Sequence, residues 1–546
     1  MDIAKRIEEL AIELTNILGV VGSPEENDVS DAVYNKFANM EYFKNNPENL
    51  RFVDTIEDSV KRKSVVATIN GKKGDHKKTL VLIGHTDTVG ISDYGEIKEY
   101  ATKPYELTEK LKEISLSKEA KEDLESGNYL FGRGIFDMKF GVASLMVMME
   151  DYSKNADQLE GNLIFAAVCD EEGNSNGMLS VVPELVKWKK EKGYDYLAVL
   201  DTDYSAPRYV GDETRYIYVG TVGKLMPSFY ITGKETHVGE PYKGLDPNQI
   251  SAEIIREFNL SMDYCDIADG EVSLPPITLR QQDLKTEYSV QIARNSYLYF
   301  NYATHNSTPD QVMEKMIKGA TKAFQNVVDD LNAEYKAYAK MSSYPFEQLP
   351  WQARVISYND LLEKVKAEKG AELDNRIEEL SQKLLLDPEV DERIFALKMV
   401  EMVHGMWSDK DPVIVSYFSP PYYPHIFVKG EEEREKKLID AVDKAIANAG
   451  DKYNIVNKKF YPYISDLSYA AAPREEKAVE SLKENMPGFG VKYKLPIEEM
   501  QSLNLPVANI GPFGKDAHKF TERLEKGYSF GVLPKILWDT VEELMK

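Results

Sequence analysis

Residues 79–89, TLVLIGHTDTV, decide the fold, because a buried apolar strand ends there in polar groups. Two later stretches repeat the arrangement: GNLIFAAVCDEEG at 161–173 and YDYLAVLDTD at 194–203. Between them, the apolar and charged runs at 139–152 and 182–193 indicate helices. Strands that alternate with helices predict an α/β fold, with a mostly parallel sheet covered by helices on both faces.

The character of the sequence changes after residue 215 and predicts four segments. Residues 216–350 combine strands and helices in about the size of a small domain, and predict an inserted α+β domain. Residues 351–410 are charged and strongly helical, which is typical of a solvated helical insertion. We expect residues 1–215 and 411–546 to form the two parts of the principal α/β domain.

The composition excludes several classes of partner. The 546 residues contain 67 basic and 91 acidic side chains, a net charge of -24 that disfavours nucleic acid and anionic membranes. Cys169 and Cys265 are the only cysteines, so neither a disulfide framework nor an oxidising compartment is indicated. We find no signal-peptide pattern and no apolar run approaching eighteen residues, and therefore predict a cytoplasmic protein.

Histidine and carboxylate side chains follow the predicted strands, where α/β sheets bind ligands. His85 and Asp87 are two apart, so on an extended chain they share one side, where a carboxylate can orient an imidazole toward a metal. Asp170, Glu171 and Glu172 follow the second strand. Adjacent carboxylates raise each other's pKa unless a cation lies among them. In an isolated surface loop, either motif would be an ordinary polar strand end.

Three further segments supply possible metal ligands. Asp201 and Asp203 follow the third strand, and Asp137 lies in the turn GRGIFDMK before a helix, where a lone Asp is most often a cap. His518 lies in a glycine-rich loop, with Glu522 four residues later. Nitrogen and oxygen ligands without thiolates suit zinc in a catalytic site, with cobalt or manganese as alternatives.

This ordered series of motifs resembles the M20 family of metallopeptidases, most closely its large arginine-utilisation-type branch. The similarity continues into GTVGKLMPSFYITGKETHVGEPYKGLDPNQI at 220–250, where His237 stands in a GxxxH context. It covers nearly the whole chain apart from the helical insertion near 350–410. The resemblance implies a catalytic domain with two divalent metal ions, most often zinc, and an inserted lid domain that in the family commonly forms a homodimer.

The resemblance also assigns ligands. The implied metal ligands are His85, Asp137, Glu172, His518 and either Asp201 or Asp203. Asp137 would bridge both ions. A register counted without gaps from Asp195 favours Asp201, whereas a shift of two residues selects Asp203, so both stay candidates.

Further roles follow from the same resemblance. Glu171 matches the general base, and Asp87 matches the carboxylate that orients His85. His237 would approach the substrate from the lid, in the family usually from the other subunit of a dimer. Asp466, in FYPYISDLSYA, would support these residues or contact the substrate.

One departure from the family concerns the substrate. Asn301 and Tyr302 stand where the family's lid usually carries an arginine for a substrate carboxylate. Arg294 is the nearest cation and Asn295 could add a hydrogen bond, although Arg294 could equally be an ordinary surface residue. We predict a metal-dependent hydrolase of amide bonds in small peptides or N-acyl amino acids. The alternative is a non-catalytic or singly metallated relative that binds an amino acid or peptide.

Overall fold

The structure is a computed structural model in which residues 2–546 are described. Its strands, in chain order, are β1 (Leu50–Asp54), β2 (Lys63–Asn70), β3 (Lys78–His85), β4 (Tyr129–Phe131), β5 (Asn162–Val168), β6 (Asp195–Asp201), β7 (Arg215–Val219), β8 (Gly223–Leu225), β9 (Pro227–Thr232), β10 (Ile267–Ala268), β11 (Glu271–Val272), β12 (Ile277–Asp283), β13 (Asn295–Thr304), β14 (Val355–Ser357), β15 (Val413–Phe418), β16 (Ile455–Lys458), β17 (Val507–Asn509), β18 (Gly514–Lys515) and β19 (Arg523–Glu525).

The α-helices, in the same order, are α1 (Ile3–Thr15), α2 (Glu26–Ala38), α3 (Glu41–Asn45), α4 (Pro104–Leu111), α5 (Lys118–Ser126), α6 (Phe140–Lys154), α7 (Asn176–Lys192), α8 (Pro247–Phe258), α9 (Pro309–Ser342), α10 (Tyr358–Lys369), α11 (Ala371–Leu385), α12 (Glu392–Met406), α13 (Glu433–Ala449), α14 (Glu476–Glu484), α15 (Ile497–Leu503), α16 (Lys526–Ser529) and α17 (Leu533–Met545). Across residues 2–546, none of these helices combines the length and the apolar character that crossing a bilayer requires.

The chain folds into two compact units. Unit 1 comprises the chain up to Thr221, Ile426–Ala472 and Pro496–Lys546, and unit 2 comprises Val222–His425 and Pro473–Leu495. The helical insertion predicted at 351–410 therefore lies in unit 2, which also takes a short segment from the C-terminal part of the chain. The domain boundaries predicted after residues 215, 350 and 410 remain predictions.

Unit 1 contains an eight-stranded sheet in the order β1-β2-β5-β3-β6-β17-β7-β16. The pairings β5-β3, β3-β6, β6-β17 and β7-β16 are parallel, and the other three are antiparallel. Every residue of β5 is buried, and successive side chains of a strand point to opposite faces, so both faces of the sheet are covered. The predicted α/β class with a mostly parallel sheet is confirmed.

The order of the central strands explains why the predicted motifs meet. β3 lies between β5 and β6 and runs parallel to both. His85 pairs with Val168, and Ile83 pairs with Asp201, so all three strands end at one edge of the sheet. The side chains that follow them therefore share that edge.

Unit 2 is built around a second sheet, in the order β12-β13-β9-β15-β14, with β8 paired to β13. The helices of the insertion are solvated on one side only. Leu361, Val365 and Val400 lie in one buried cluster with Tyr230 and Tyr417 of the sheet. On α10 the buried positions Tyr358, Leu361 and Val365 are three and four residues apart, so charged residues separate them and conceal this apolar face in the sequence.

His404 on α12 lies in the same part of unit 2. Its side chain is 5 % exposed, its ring packs against Tyr230 with 5.5 Å between centroids, and its Nε2 has no hydrogen-bond partner. Burial lowers the pKa of His404 to about 4, with Lys410 and Arg294 adding to the effect. Asp409, which also faces the ring, opposes it.

This depressed pKa predicts a pH-dependent stability. Between about pH 6.5 and pH 4 the unfolded chain binds a proton at His404 that the folded chain does not, so the free energy of unfolding falls as the pH decreases. His404→Phe keeps a ring in place and should remove up to about 3 kcal/mol of that loss. Urea unfolding at pH 7 and pH 4.5 measures this change in the free energy of unfolding for the wild type and the variant. His76→Phe, at an exposed position, is the control; equal pH dependence in both variants would contradict the prediction.

Candidate metal centre

The predicted ligands of unit 1 come together at the edge where β3, β5 and β6 end. Ligand atoms of His85, Asp137 and Glu172 all lie within 4.8 Å of one another. His85 Nε2 is 3.0 Å from Asp137 Oδ1. His518 Nε2 is 3.0 Å from Asp137 Oδ2 and 2.9 Å from Glu172 Oε1. Asp137 thus offers one oxygen to each imidazole, which is the arrangement expected of a carboxylate between two cations.

The turn that carries Asp137 is held by Glu522. Glu522 Oε1 accepts hydrogen bonds from the backbone N–H of Gly134 at 2.8 Å and of Asp137 at 3.4 Å. Gly134 has a φ of +81°, and a Cβ there would lie 2.6 Å from Thr88 Cγ2, so this position requires glycine. The buried carboxylate therefore fixes the backbone that presents Asp137.

Glu522 is paired with Arg133 in the interior of unit 1. Arg133 Nη1 donates to Glu522 Oε2 at 2.7 Å, and Arg133 Nη2 donates to Asp93 Oδ2 at 2.9 Å. The side chains of Arg133 and Glu522 are each 1 % exposed. Burial raises the pKa of Glu522 to about 7 in spite of the guanidinium. Because Glu522 follows His518 by four residues, the pair connects the His518 loop to the Asp137 turn.

The acidic triplet is shaped by a buried arginine. Asp170 adopts a φ of +65°, a left-handed conformation that costs a non-glycine residue about 1–3 kcal/mol. Arg62, itself buried, ion-pairs with Asp170, with Glu26 at 3.3 Å and with Asp58 at 2.7 Å. Glu26 Oε2 also accepts the N–H of Asp170 at 3.1 Å. This network holds the turn that directs Glu171 and Glu172 into the site.

Asp87 has a different contact from the one the resemblance implies. His85 Nδ1 lies 3.0 Å from the backbone oxygen of Asp87, and its carboxylate is 3.8 Å away. The Asp87 carboxylate instead accepts the backbone N–H of Glu171 at 3.2 Å and that of Glu172 at 3.0 Å. Asp87 therefore links the imidazole to the acidic triplet and positions both.

Glu171 has the environment of a proton acceptor. Its side chain is 10 % exposed, and Oε2 is 4.0 Å from His85 Nε2. Burial raises the pKa of Glu171 well above its usual range, and repulsion from Asp466 and Glu172 raises it further. A carboxyl group whose pKa is raised in this way is a better proton acceptor than an ordinary glutamate.

The two candidates at the end of β6 differ in their partners: Asp203, two residues beyond the strand, accepts the N–H of Tyr204 through Oδ1 at 2.7 Å. Asp201 Oδ2 accepts from Ser465 Oγ at 2.9 Å, and Oδ1 accepts from Thr202 N–H at 2.8 Å. Burial raises the pKa of Asp203 well above its usual range, and the charge of Asp137 is the next largest cause. The strand end is closely packed, since a Cβ on Gly511 would lie 1.5 Å from the Asp203 carbonyl oxygen.

Three predicted residues lie in unit 2. His237 is exposed on the loop after β9, and Arg294 is exposed immediately before β13. The Arg294 carbonyl oxygen accepts the N–H of Gly233 at 2.8 Å, and Asn295 pairs with Thr232. His237, Arg294 and Asn295 therefore belong to one end of the unit 2 sheet.

The donor chemistry fits divalent cations. The group offers the buried imidazole of His85, the imidazole of His518, whose side chain is 48 % exposed, several carboxylates of low exposure, and no thiolate. Two ligands about 2.0–2.1 Å from a shared zinc ion lie about 3.3 Å apart, close to the separations between Asp137 and each imidazole. Burial raises the pKa values of Glu171, Asp203 and Asp466 well above their usual range, and the charges of neighbouring carboxylates raise them further.

The sequence predicted the residues that converge here as metal ligands, and their ligand roles stay a prediction; it did not reveal the groups behind them. Glu26 and Arg62 are far from the acidic triplet in sequence, and no local pattern marks them. Arg133 was visible in the GRGIFDMK turn, but its partner Glu522 is 389 residues away. The signals available were a charged residue beside a buried strand and a glutamate in the His518 loop.

Comparison with known proteins yields a family and a fold. A family model described as peptidase family M20/M25/M40 matches residues 81–488. Protein RocB of Bacillus subtilis (strain 168) is 34 % identical over 100 % of this chain and 96 % of its own length. Succinyl-diaminopimelate desuccinylase of Psychrobacter arcticus is 26 % identical over 52 % of this chain and 62 % of its own. The crystal structure of aminopeptidase PepT from Bacillus cereus superposes with a TM-score of 0.54 at 12 % identity, covering 100 % of this chain and 99 % of PepT.

Proposed function

The chain belongs to peptidase family M20/M25/M40, and from that premise we propose that it hydrolyses amide bonds in small peptides or N-acyl amino acids with the help of two divalent metal ions. The observation that carries the proposal is the convergence of His85, Asp137 and Glu172 beside Glu171. A scaffold without catalysis has no physical need to bury so many carboxylates at one point.

The proposed ligands divide into two sets around Asp137. His85 would complete one set together with Asp203, and Glu172 with His518 would complete the other. We favour Asp203 over Asp201 because both oxygens of Asp201 already accept hydrogen bonds, whereas Asp203 accepts one through Oδ1, from the N–H of Tyr204 at 2.7 Å, and its Oδ2 accepts none from residues 2–546. Zinc suits these nitrogen and oxygen donors, and cobalt or manganese would also be accepted. When bound, the cations would lower the pKa of a water molecule and polarise the scissile carbonyl.

The chain's own residues then manage the proton. Glu171 would accept the proton of the attacking water as its oxygen adds to the carbonyl carbon. It would deliver that proton to the leaving nitrogen as the carbon–nitrogen bond breaks. Asp87, through the amides of Glu171 and Glu172, keeps both carboxylates in place during these steps.

The residues of unit 2 would act on the substrate. We propose that His237 stabilises the developing oxyanion, supplied by the same chain or by the second subunit of a homodimer. Arg294 and Asn295 would bind a carboxylate or carbonyl of the substrate. The 26 % identity with a desuccinylase over half the chain supports including N-acyl amino acids beside peptides.

A reconstitution experiment tests this function. The chain, stripped of metal and then loaded with zinc, cobalt or manganese, is assayed on dipeptides, tripeptides and N-acyl amino acids. We expect two metal equivalents per chain and hydrolysis that is lost on chelation and restored by metal. Stoichiometric binding of an amino acid or peptide without turnover, at any metal content, would instead show a binding protein.

A further inference from the structure

A row of aromatic rings in unit 1 leads away from the metal centre. The rings, each next to the following one, are Phe136, Tyr204, Tyr463, Tyr461, Tyr218 and Tyr216. Successive ring centroids are 4.8, 4.8, 5.4, 5.4 and 6.0 Å apart. Nothing in the proposed proton transfer uses this aromatic row.

The inner end of the aromatic row lies against the proposed ligands. Phe136 precedes Asp137 in the chain, and Tyr204 follows Asp203. Phe136, Tyr461, Tyr218 and Tyr216 are buried, so they form the support. Tyr204 and Tyr463 are partly exposed, and their rings are 4.8 Å apart at an angle of 34°. They offer an apolar, π-rich surface next to the proposed ligand Asp203.

The outer end of the aromatic row carries a cation. The Arg208 guanidinium carbon lies 6.0 Å from the centroid of Tyr216, and the residue is exposed. Throughout residues 2–546, no carboxylate comes within ion-pair distance of this guanidinium. Burial raises the pKa of the Tyr463 hydroxyl; among the charges, Arg208 lowers this pKa and Asp203 raises it. An arginine free of acidic partners is notable in a chain of net charge -24.

We propose that Tyr204, Tyr463 and Arg208 form a substrate subsite for an apolar arm that ends in a carboxylate. The proposal rests on the amide-hydrolase function above and names its substrate class. The arm would lie on the two rings, and the carboxylate would pair with the guanidinium through two hydrogen bonds.

The charges around this subsite favour one orientation of the bound substrate. A substrate carboxylate near Asp203 would be repelled by the acidic cluster, whereas at Arg208 it meets an unpaired positive charge. The substrate is therefore bound in one orientation, with its anionic end away from the reacting bond. An arm ending in an ammonium group would be disfavoured at Arg208, and so substrates with a cationic arm should be poorer than those with a carboxylate.

Matched substrates test the subsite. Pairs of N-acyl amino acids and dipeptides are compared that differ only in a terminal carboxylate or carboxamide of one arm, such as Glu against Gln. For the wild-type chain we expect kcat/KM to be about 10- to 100-fold higher for the carboxylate member, the range of a charged hydrogen bond. Arg208→Gln should bring the two members close to parity, mainly by raising KM, and Arg208→Lys should keep part of the preference. Tyr463→Ala should lower kcat/KM for both the carboxylate and the carboxamide substrate of a pair.

The control is Arg434→Gln, which removes an exposed positive charge of unit 1 that pairs with Asp195. It should leave the preference unchanged. A preference that persists in Arg208→Gln, or a wild-type chain that favours the carboxamide, would overturn the subsite while the hydrolase function stands. Calorimetric binding of the same pairs to the zinc-loaded Glu171→Gln chain gives the comparison without turnover. Absence of hydrolysis across all metals would contradict the function, and the calorimetry would still decide whether Arg208 selects the carboxylate.

Discussion

Replacing Glu171 with Gln is expected to lower kcat by about 10²–10⁴-fold while the chain keeps its full content of bound metal. Gln preserves the shape of the side chain and removes the group that accepts and returns the proton. The metal content should persist because Glu171 stands beside the cluster of His85, Asp137 and Glu172 and is not part of it. Metal analysis of the purified variant, together with its turnover of a good substrate, measures both effects.

The same variant should be more stable than the wild type when metal is absent. Burial and the charges of Glu172 and Asp466 make the ionised Glu171 unfavourable, and Gln removes that cost at neutral pH. Glu172→Gln is the matched control and should lose metal and activity together. If Glu171→Gln turned over substrate within tenfold of wild type, the proton would have to move through another group.

Glu522→Ala should destabilise unit 1 by about 3–5 kcal/mol, the cost of leaving a buried charge without its partner. Arg133 would keep only Asp93, whose side chain is 35 % exposed, and the Gly134 amide would lose its acceptor. Urea unfolding of the metal-free chain at neutral pH measures the loss. We also expect weaker metal binding in titration calorimetry, because the turn that presents Asp137 is no longer held.

Two further variants separate charge from shape at this position. Glu522→Gln keeps an oxygen for the backbone amides, so its loss of stability should be smaller than that of Glu522→Ala. Asp93→Ala removes the half-exposed partner of Arg133 and should cost less than about 1 kcal/mol. Equal decreases in the free energy of unfolding for Asp93→Ala and Glu522→Ala would mean that the buried Arg133–Glu522 pair stabilises unit 1 no more than the Arg133–Asp93 pair does.

The site was predictable from sequence as far as the strands determine it. His85 ends its strand, Glu172 and Asp203 come shortly after theirs, and parallel neighbouring strands must end at one edge. Asp137 and His518 lie in loops, so their ligand roles rested on the family resemblance. In the structure, both imidazoles lie against Asp137.

The remaining features depend on contacts between distant segments. The charge of Arg62 indicates a surface position, yet the side chain is buried because Asp58, Glu26 and Asp170 surround it. The helical insertion presented the same difficulty at a larger scale. Its many charged residues suggested full solvation, but Leu361 and Val400 pack against the unit 2 sheet. Tertiary packing decides such cases, and a single sequence does not reveal the partners.

The close approach of Gly511 to Asp203 also bears on how mutational scans of this protein should be interpreted. Any side chain at 511 would collide with the backbone that carries a proposed ligand, since even a Cβ would lie 1.5 Å from that carbonyl oxygen. A saturation library scored for growth or turnover would rank this glycine with the catalytic carboxylates, although it has no functional group. Loss of activity on substitution of Gly511 would therefore report close backbone packing behind the site and not a chemical role of residue 511.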